Sequence, residues 1–528
     1  MKKLILSLLA ATLALAPAVP AQQAPAPQGA LSVSLEDCIV RALKDNLGVA
    51  IQVLGPQISA EAVNQAQEKY IPTLSLSASS RKTENAAYSY LDSPGSSTVN
   101  KTQNFTFMTA NQTLPTGGTL RLDFTGYRTT TNQRGITIDP RFGTTLSFSL
   151  NQPLLRNFGT RISRREILVA KNNLGVSEES LRNQLMNTVY NVESAYWNLV
   201  YSIENLDVRK QSLQLAKDLL EKNQRSVEVG TLAPMEVLSA QAEVATREAD
   251  LIQAETQIKS NEDALRLLLN ISEAESENVA AIMPKDKPTY VPREVNLEEA
   301  LAAAIQNRPD LEISRIGLET DKLNLSYAKN QMLPDLSLSA SYSAPGIDGT
   351  RLIYDINPID PNAQVIDRIP GGIDGALKQS FKFTYPNWNA GLTLNLPLSN
   401  LFGRAALAQS RLNLRQTMLE IENQKEQVYI EIKNAVRTVE ANYKRILAFT
   451  KARELAEQKL AAEEEKRRVG MSTNYVVLTY QRDLTNARIS ELNAIISYNV
   501  SLASLERSMG TNLKSRNINL TDYAIGLE

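Results

Sequence analysis

The side chains that most often carry out catalysis are scarce in this sequence. The chain of 528 residues has no histidine and a single cysteine, Cys38, so no intramolecular disulfide can form. Histidine-based acid–base catalysis, Ser–His and Cys–His nucleophile pairs and ordinary zinc sites are therefore excluded. Carboxylate- or lysine-based catalysis remains available, but we find no constellation of such residues and no Gly-rich phosphate loop. We predict no enzyme activity and no catalytic, cofactor-binding or metal-binding residues.

The composition and the first residues indicate an exported protein with no nucleic-acid partner. The 56 Lys and Arg residues balance 57 Asp and Glu residues, whereas a nucleic-acid-binding protein needs a basic face. Within residues 1–21, Lys2 and Lys3 are followed by a short apolar run and then by small residues. This order predicts a signal peptide cleaved after Ala21. Cys38 lies well past that site, so we expect no lipid anchor. No later stretch of about 18 apolar residues follows, so membrane contact would require β-structure.

The remainder of the chain reads as two copies of one unit. The segment VGTLAPMEVLSAQAE from Val229 aligns with VGMSTNYVVLTYQRDL from Val469, 240 residues later. Likewise, YIPTLSLSAS at 70–79 aligns with MLPDLSLSAS at 332–341. Such internal repetition predicts a duplicated structural unit. The predicted domains are a signal peptide (1–21), a first repeat (30–282), a Pro-rich linker (283–295), a second repeat (296–512) and a C-terminal tail (513–528).

Each copy contains a very long predicted helix, a turn and a long return helix. From Arg161 to Val229 there is no proline and one early glycine, which corresponds to about 100 Å of helix. The return helix has apolar residues at seven-residue spacing, and the outgoing helix has two adjacent apolar seams, which predict coiled-coil hairpins in a bundle, a ring or a solvated coiled coil. The return seam is Val237, Val244, Leu251, Ile258 and Leu265; the outgoing seams are Leu181, Leu185, Val192, Ala195, Leu199 and Leu206, and Val189, Tyr196 and Ile203.

Four short segments alternate apolar and small polar residues, at equivalent places in the two copies. They are 73–79, 145–153, 336–342 and 391–397. This alternation is typical of membrane barrel strands with lipid on one face and water on the other. A soluble sheet alternates similarly, but four such segments beside long helices on an exported chain favour the barrel.

Four strands cannot close a membrane barrel, because about eight is the smallest number known and an open edge in lipid leaves backbone groups unpaired. We therefore expect several chains to share one barrel, and three chains would supply twelve strands. A further hairpin at 104–124 can add strands, and the sequence leaves its place in the barrel open. The segments 92–100 and 344–372 are rich in Gly, Pro, Ser, Asp and Asn, which predicts outward loops.

The duplicated unit resembles the TolC-like outer-membrane efflux proteins, also called outer membrane factors. The residues that carry the resemblance are the two segments from Val229 and Val469, AYWNLV at 195–200 and QPLLRNFG at 152–159. The resemblance implies a mainly α fold with β: duplicated antiparallel coiled-coil hairpins forming a trimeric α-barrel in the periplasm, plus a shared transmembrane β-barrel of about four or more strands per chain. It implies an outer-membrane duct for efflux or type I secretion.

The resemblance also assigns the two turns a role. By their backbone preferences, Gly230 and Gly470 suit helix ends, and Pro234 suits the first turn of the next helix. In the family these turns are periplasmic tips where a membrane-fusion adaptor docks. Family members often carry an acidic residue six positions after each tip glycine. Here the first copy has Glu236 at that position and the second copy has Val476, so Glu236 is the candidate aperture residue. The implied docking set is Val229, Gly230, Thr231, Leu232, Val469, Gly470, Met471 and Ser472.

The implied partners are two further copies of the chain, a periplasmic adaptor, an inner-membrane transporter and outer-membrane lipid. The alternative is a periplasmic coiled-coil scaffold or adaptor without a pore. A scaffold would lack the duplicated alternating strands, and an adaptor would carry a β-rich lipoyl-like domain. The transported substrate and the particular pump are not readable from the residues.

Overall fold

The computed structural model describes residues 31–87, 89, 92, 97–272, 281–360 and 362–518. The predicted signal peptide and the end of the predicted tail, from residue 519, lie outside the described residues. Two compact units emerge, which we call the tip unit and the sheet unit. The tip unit is Met1–Ala50, Leu185–Asn296 and Asn434–Arg507; the sheet unit is Ile51–Gln184, Leu297–Lys433 and Ser508–Glu528.

Two pairs of long helices dominate the described helical structure. Each pair joins an outgoing helix of 64 or 68 residues to a return helix of 35 residues. None of the described helices is both long and apolar enough to cross a membrane. The described helices are α1 (Leu35–Asp45), α2 (Leu47–Glu68), α3 (Thr160–Ser163), α4 (Arg165–Glu228), α5 (Pro234–Leu268), α6 (Leu297–Asn307), α7 (Pro309–Gln331), α8 (Ile373–Phe381), α9 (Leu401–Arg468), α10 (Asn474–Ser508) and α11 (Asn512–Ser515).

Apolar residues pack between the two helices of each hairpin, and one of them, Val244, belongs to the return seam that the sequence predicted. In the first hairpin, Leu213 and Ala216 of α4 cluster with Val244 of α5. In the second hairpin, Leu460 of α9 clusters with Val477 and Leu484 of α10. Nearer the start of α4, residues of both predicted seams are buried. The fully buried seam residues are Leu185, Val189, Val192, Tyr196 and Leu199.

Two buried tyrosines hold the segment that the sequence predicted as a Pro-rich linker. Its first residues belong to strand β6 (Ile282–Pro284), parallel to β1 (Leu31–Val33). The Tyr196 hydroxyl donates to Asp286 Oδ2 at 2.6 Å, and burial is the main reason that the pKa of Tyr196 is raised. The Tyr498 hydroxyl donates to the Val291 carbonyl at 3.0 Å and accepts from the Arg293 N–H at 3.1 Å. The two bonds of Tyr498 satisfy backbone groups that have no sheet partner.

Seven strands form one antiparallel sheet in the sheet unit. Along the sheet the order is β2, β3, β4, β5, β7, and the far edge of β7 pairs with β8 at one end and β9 at the other. The predicted hairpin at 104–124 lies inside this sheet as β3 and β4. The strands are β2 (Thr73–Ala86), β3 (Ser97–Thr113), β4 (Thr119–Thr131), β5 (Ile138–Pro153), β7 (Asp335–Tyr354), β8 (Val365–Ile369) and β9 (Asn387–Asn395).

The sheet has one apolar face and one polar face. On one face Leu122 and Phe124 of β4 pair with Phe148 and Leu146 of β5. The alternate positions carry polar side chains, because successive residues of a strand point to opposite faces. A groove of about 810 Å³ follows the polar face. Its lining includes Asn111, Thr119, Arg121, Ser149, Asn151 and Ser339.

Helix α8 packs on the apolar face and begins directly after the segment 344–372, which the sequence predicted as a loop. The prediction that 344–372 is a loop is wrong for Ala344–Tyr354, which belongs to β7, and for Val365–Ile369, which forms β8. Gly346 permits this packing, since a Cβ there would lie 2.0 Å from the Ala376 carbonyl oxygen. The Ser380 hydroxyl donates to the Thr144 carbonyl at 3.0 Å, which anchors the other end of α8. Glycine and proline in this segment therefore mark a close helix–sheet contact rather than a loop.

An arginine cluster ties together three segments of the sheet unit. The Arg308 guanidinium donates to both oxygens of Asp310, at 3.0 and 2.8 Å. It also donates to Glu431 of α9 at 2.8 Å and to the Ser508 carbonyl at 3.0 Å. Such a bidentate, charge-assisted arrangement fixes geometry as well as adding energy. The cluster therefore positions the α6–α7 junction against the middle of α9.

Candidate functional site

The first hairpin turns at Gly230, between α4 and α5. Its φ of 78° lies in the left-handed region, which side chains other than glycine occupy only at a steric cost. The Gly230 N–H donates to the Val227 carbonyl and the Thr231 N–H to the Ser226 carbonyl, both at 2.9 Å. This pair of bonds is the Schellman helix end. Pro234 then opens α5, where its missing N–H costs no helical bond.

The second hairpin repeats this geometry at Gly470, between α9 and α10. Its φ is 80°, and its N–H donates to the Arg467 carbonyl at 3.0 Å. The Met471 N–H donates to the Lys466 carbonyl at 2.9 Å, which completes a second Schellman end. Asn474 opens α10 and accepts a bond from the Arg467 guanidinium at 3.2 Å. The eight predicted tip residues therefore make the two turns.

The interiors of the two turns differ in charge. The buried Asn223 amide donates to the Glu236 carbonyl at 3.5 Å in the first turn. The corresponding position of the second turn holds Glu463, which accepts from Ser472 Oγ at 2.6 Å and from Lys466 Nζ at 3.1 Å. The Ser472 and Lys466 hydrogen bonds lower the pKa of Glu463. The second turn thus encloses a carboxylate where the first encloses a neutral amide.

Both turns expose apolar side chains to solvent. Val229 is 73% exposed, Val469 67% and Met471 77%. Met235 and Tyr475, in the first turns of the return helices, are each 70% exposed. Clustered exposed apolar residues mark interaction surfaces more often than isolated ones do. The candidate aperture residue Glu236 lies in the first turn of α5, where an acid also suits the helix dipole.

The one cysteine lies away from the turns and has the character of a core residue. Cys38 is 1% exposed on α1. Burial, helped by the charges of Asp37 and Asp286, raises the pKa of the Cys38 thiol to about 12. A protonated, enclosed thiol is a poor nucleophile. Among the described residues, no group of His, Cys, Asp or Glu side chains is placed to hold a metal ion.

The polar face of the sheet carries a charged pair as well as small polar residues. Arg121 Nε lies 2.7 Å from Asp123 Oδ2, and Thr109 Oγ1 donates to Asp123 Oδ1 at 2.7 Å. On the opposite face, Leu74, Leu392 and other apolar residues are exposed. The sheet therefore has one face with exposed apolar residues, part of which α8 covers, and one face with polar and charged residues.

Comparison with solved structures identifies the fold as that of outer-membrane channels. The outer membrane channel CmeC of Campylobacter jejuni superposes with a TM-score of 0.64 at 15% identity, covering 92% of this chain and 90% of CmeC. The outer-membrane channel MtrE of Neisseria gonorrhoeae, in its open state, gives a TM-score of 0.60 at 17% identity, covering 91% of this chain and 89% of MtrE.

Comparison of sequences gives the family. The profile described as outer membrane efflux protein matches residues 120–270 and 300–511. The chain belongs to this outer-membrane efflux protein family, whose members are channels in the outer membrane rather than enzymes. The outer membrane efflux protein BepC of Brucella suis is 23% identical over 360 residues, 67% of this chain and 70% of BepC. The family resemblance and the outer-membrane location predicted from sequence are confirmed.

The sequence predicts both turns and the hairpin at 104–124, but it does not predict α8. The sequence leaves open whether the hairpin at 104–124 joins the sheet, although residues 119–124 alternate as clearly as those of the four predicted strands. It did not identify α8, whose nine residues include the helix-weakening Gly375. The available signal was Gly346, because a glycine within a strand often marks the close approach of another element.

Proposed function

We propose that this protein is the outer-membrane duct of a tripartite efflux pump or a type I secretion system. It conducts substrates passively from a periplasmic adaptor and an inner-membrane transporter to the exterior. The observation that carries the proposal is the two-faced sheet of a channel-family member, with an apolar exposed face and a polar groove of about 810 Å³. The energy for transport comes from the partner, because this chain has no nucleotide-binding motif.

The working form that we propose is a homotrimer. Three chains share one β-barrel in the outer membrane and one α-barrel of coiled-coil hairpins in the periplasm. The support is physical, since a sheet with free edges leaves unpaired N–H and C=O groups that hydrocarbon cannot satisfy. Ring closure by identical head-to-tail contacts removes those edges.

We propose further that the two turns dock the adaptor and that Glu236 lines the aperture. The exposed apolar residues of both turns support the docking role. The rigid Schellman geometry supports it too, because a fixed turn loses little entropy on binding. Two repeats in each of three chains would present six turns to the adaptor. With Glu236 in one copy and Val476 in the other, the aperture would carry one such carboxylate per chain.

Adaptor docking is tested by a photo-cross-linking amino acid placed at Val469 in living cells. The matched control places it at Leu267, which is 79% exposed near the opposite end of the return helix α5. We expect an adduct from position 469 whose mass-spectrometric identity is a periplasmic membrane-fusion adaptor, and none from 267. Equal labelling at both positions, or an adduct with another class of protein, would contradict the docking proposal.

The pore itself is tested by inserting the purified protein into planar lipid bilayers. At a constant applied voltage we expect the current to rise in discrete conductance steps, with no nucleotide or cofactor present. The absence of steps from protein that remains folded, together with a soluble form that needs no detergent, would favour the periplasmic scaffold.

A further inference from the structure

The hairpin formed by β3 and β4 is built into the wall of the sheet. Strand β2 pairs with β3 from Thr73 to Ala86, and β5 pairs with β4 from Arg141 to Asn151. Neither run of pairing leaves β2 free to bond β5 directly. The hairpin therefore separates the two strands rather than lying across their surface.

The inserted hairpin has the same two faces as the strands around it. Leu122 and Phe124 continue the apolar face of β5, to which they are paired. On the polar face, Arg121 forms an ion pair with Asp123 at 2.7 Å, and the Thr109 hydroxyl donates to Asp123. A charged pair is costly in lipid and common on a water-filled lumen. The polar face agrees with a place in the barrel wall, and on the apolar face Phe124 also contacts Phe381 of α8, with ring centroids 5.3 Å apart.

The two edges of the sheet are suited to pair with each other in neighbouring copies. Every residue of β2 except Thr83 is exposed, and every residue of β9 except Gly391 is exposed. All pairings from β2 through β7 to β9 are antiparallel, so β2 and β9 run in opposite directions. Pairing of β9 in one copy with β2 in the next therefore continues an antiparallel sheet. A second copy of this chain is the occupant that both edges fit.

We propose that each chain contributes six strand positions to the barrel, so that the trimer has an eighteen-stranded wall. The six positions are β2, β3, β4, β5, β7 and the edge shared by β8 and β9. The inference rests on the proposed trimer. With strands about 4.8 Å apart and tilted by about 40°, eighteen strands give a backbone diameter of about 36 Å, against about 24 Å for twelve.

A wider wall changes what can leave through the outer end of the duct. The lumen cross-section of an eighteen-stranded barrel is roughly twice that of a twelve-stranded one at the same tilt. Three copies of the Arg121–Asp123 pair would line it. The hairpin thus gives this chain an exit that passes bulkier solutes than a four-strand contribution would allow.

The strand count is tested by electron cryo-microscopy of the full-length protein in lipid nanodiscs. We expect three-fold particles with eighteen strands in section and a backbone diameter near about 36 Å. A three-fold particle with a twelve-stranded wall overturns the inference and leaves the proposed duct intact. Particles without three-fold symmetry overturn the trimer itself.

A deletion variant supplies the matched comparison. Removal of residues 97–131 joins β2 to β5 through the remaining loops and keeps the antiparallel order. We expect the variant trimer to have twelve strands and a diameter about one third smaller. An unchanged diameter would place the hairpin outside the wall and overturn the inference. Should the variant fail to assemble, the strand count of the full-length trimer decides the matter alone.

Discussion

At the scale of single residues, the two tip glycines are required for their backbone conformation. A Cβ on Gly230 or Gly470 would have no atom within 4 Å, so space is not the constraint. The positive φ is the constraint, and it costs an alanine about 1 kcal/mol. We expect Gly470→Ala and Gly230→Ala to speed amide hydrogen exchange at their own turn by about fivefold.

The control for the tip glycines is Gly317→Ala. Gly317 lies inside α7, where an added methyl group would also meet open space and φ is not positive. Alanine there should stabilise the helix by up to about 1 kcal/mol. A tip variant that exchanged as slowly as the native protein would show that the left-handed turn is not populated in solution.

Acid sensitivity is expected at the arginine cluster. Burial alone would raise the pKa of Asp310, but the hydrogen bonds and charge of Arg308 outweigh it and lower the pKa. The Asp310 contribution to stability is therefore complete above its unfolded pKa of about 3.9 and is lost as pH falls through the lower folded value. We expect Asp310→Asn to cost about 1–2 kcal/mol at pH 7, and less below about pH 4.

The thermal midpoint of the detergent-solubilised protein, followed between pH 3 and pH 7, measures this difference. The exposed pair of Glu319 and Lys322, at 2.6 Å, provides the control Glu319→Gln. Exposed pairs contribute about 0–1 kcal/mol, so this variant should follow the native protein at every pH. A constant gap between native protein and Asp310→Asn across the whole range would contradict the assignment.

At the scale of elements, the contact between α8 and the sheet depends on one missing side chain. Gly346→Ala places a methyl group 2.0 Å from the Ala376 carbonyl oxygen, so α8 must move away from β7. Such overpacking costs about 1–3 kcal/mol. We expect a lower thermal midpoint and faster proteolysis between β8 and β9.

Gly391→Ala is the matched control for Gly346→Ala, because Gly391 lies in the same sheet on β9. The nearest atom to a methyl group added there is 3.5 Å away, an ordinary contact. We expect near-native stability for this variant. Equal losses for the two variants would mean that glycine serves strand flexibility at both sites and that α8 is not pressed against Gly346.

The elements also show which patterns a sequence reveals. Hairpins with seven-residue spacing were predictable because burial of Val189, Val192 and Tyr196 requires a fixed helical period. Alternating strands were predictable for the same reason at period two. The strand at 344–354 was not, since Pro345, Gly346 and Gly349 read as loop residues until the helix that packs against them is known.

The tips were predictable only as turns. Glycine at a helix end and proline at a helix start have local causes, so Gly230 and Pro234 indicated the first turn. The buried carboxylate of Glu463 could not be read from the sequence, because its partner Ser472 approaches only after the turn has formed. The proposed docking and gating roles are still harder to predict from the sequence, since they involve contacts with other chains.

For the whole molecule, the proposed function requires three copies of the chain to assemble into a trimer. One chain has a two-faced sheet with exposed edges, β2 and β9, and two turns with exposed apolar residues. In the proposed barrel, free edges would leave backbone groups unpaired in lipid. A trimer would pair every edge and gather the turns at one end of a duct.

The most direct measurement is electron microscopy of the full-length protein extracted from outer membranes in detergent. We expect a three-fold tube with a detergent belt around one end and a helical part about 100 Å long. Monomeric or dimeric rods with no detergent belt would contradict it, and the alternating strands would then belong to a soluble coiled-coil scaffold.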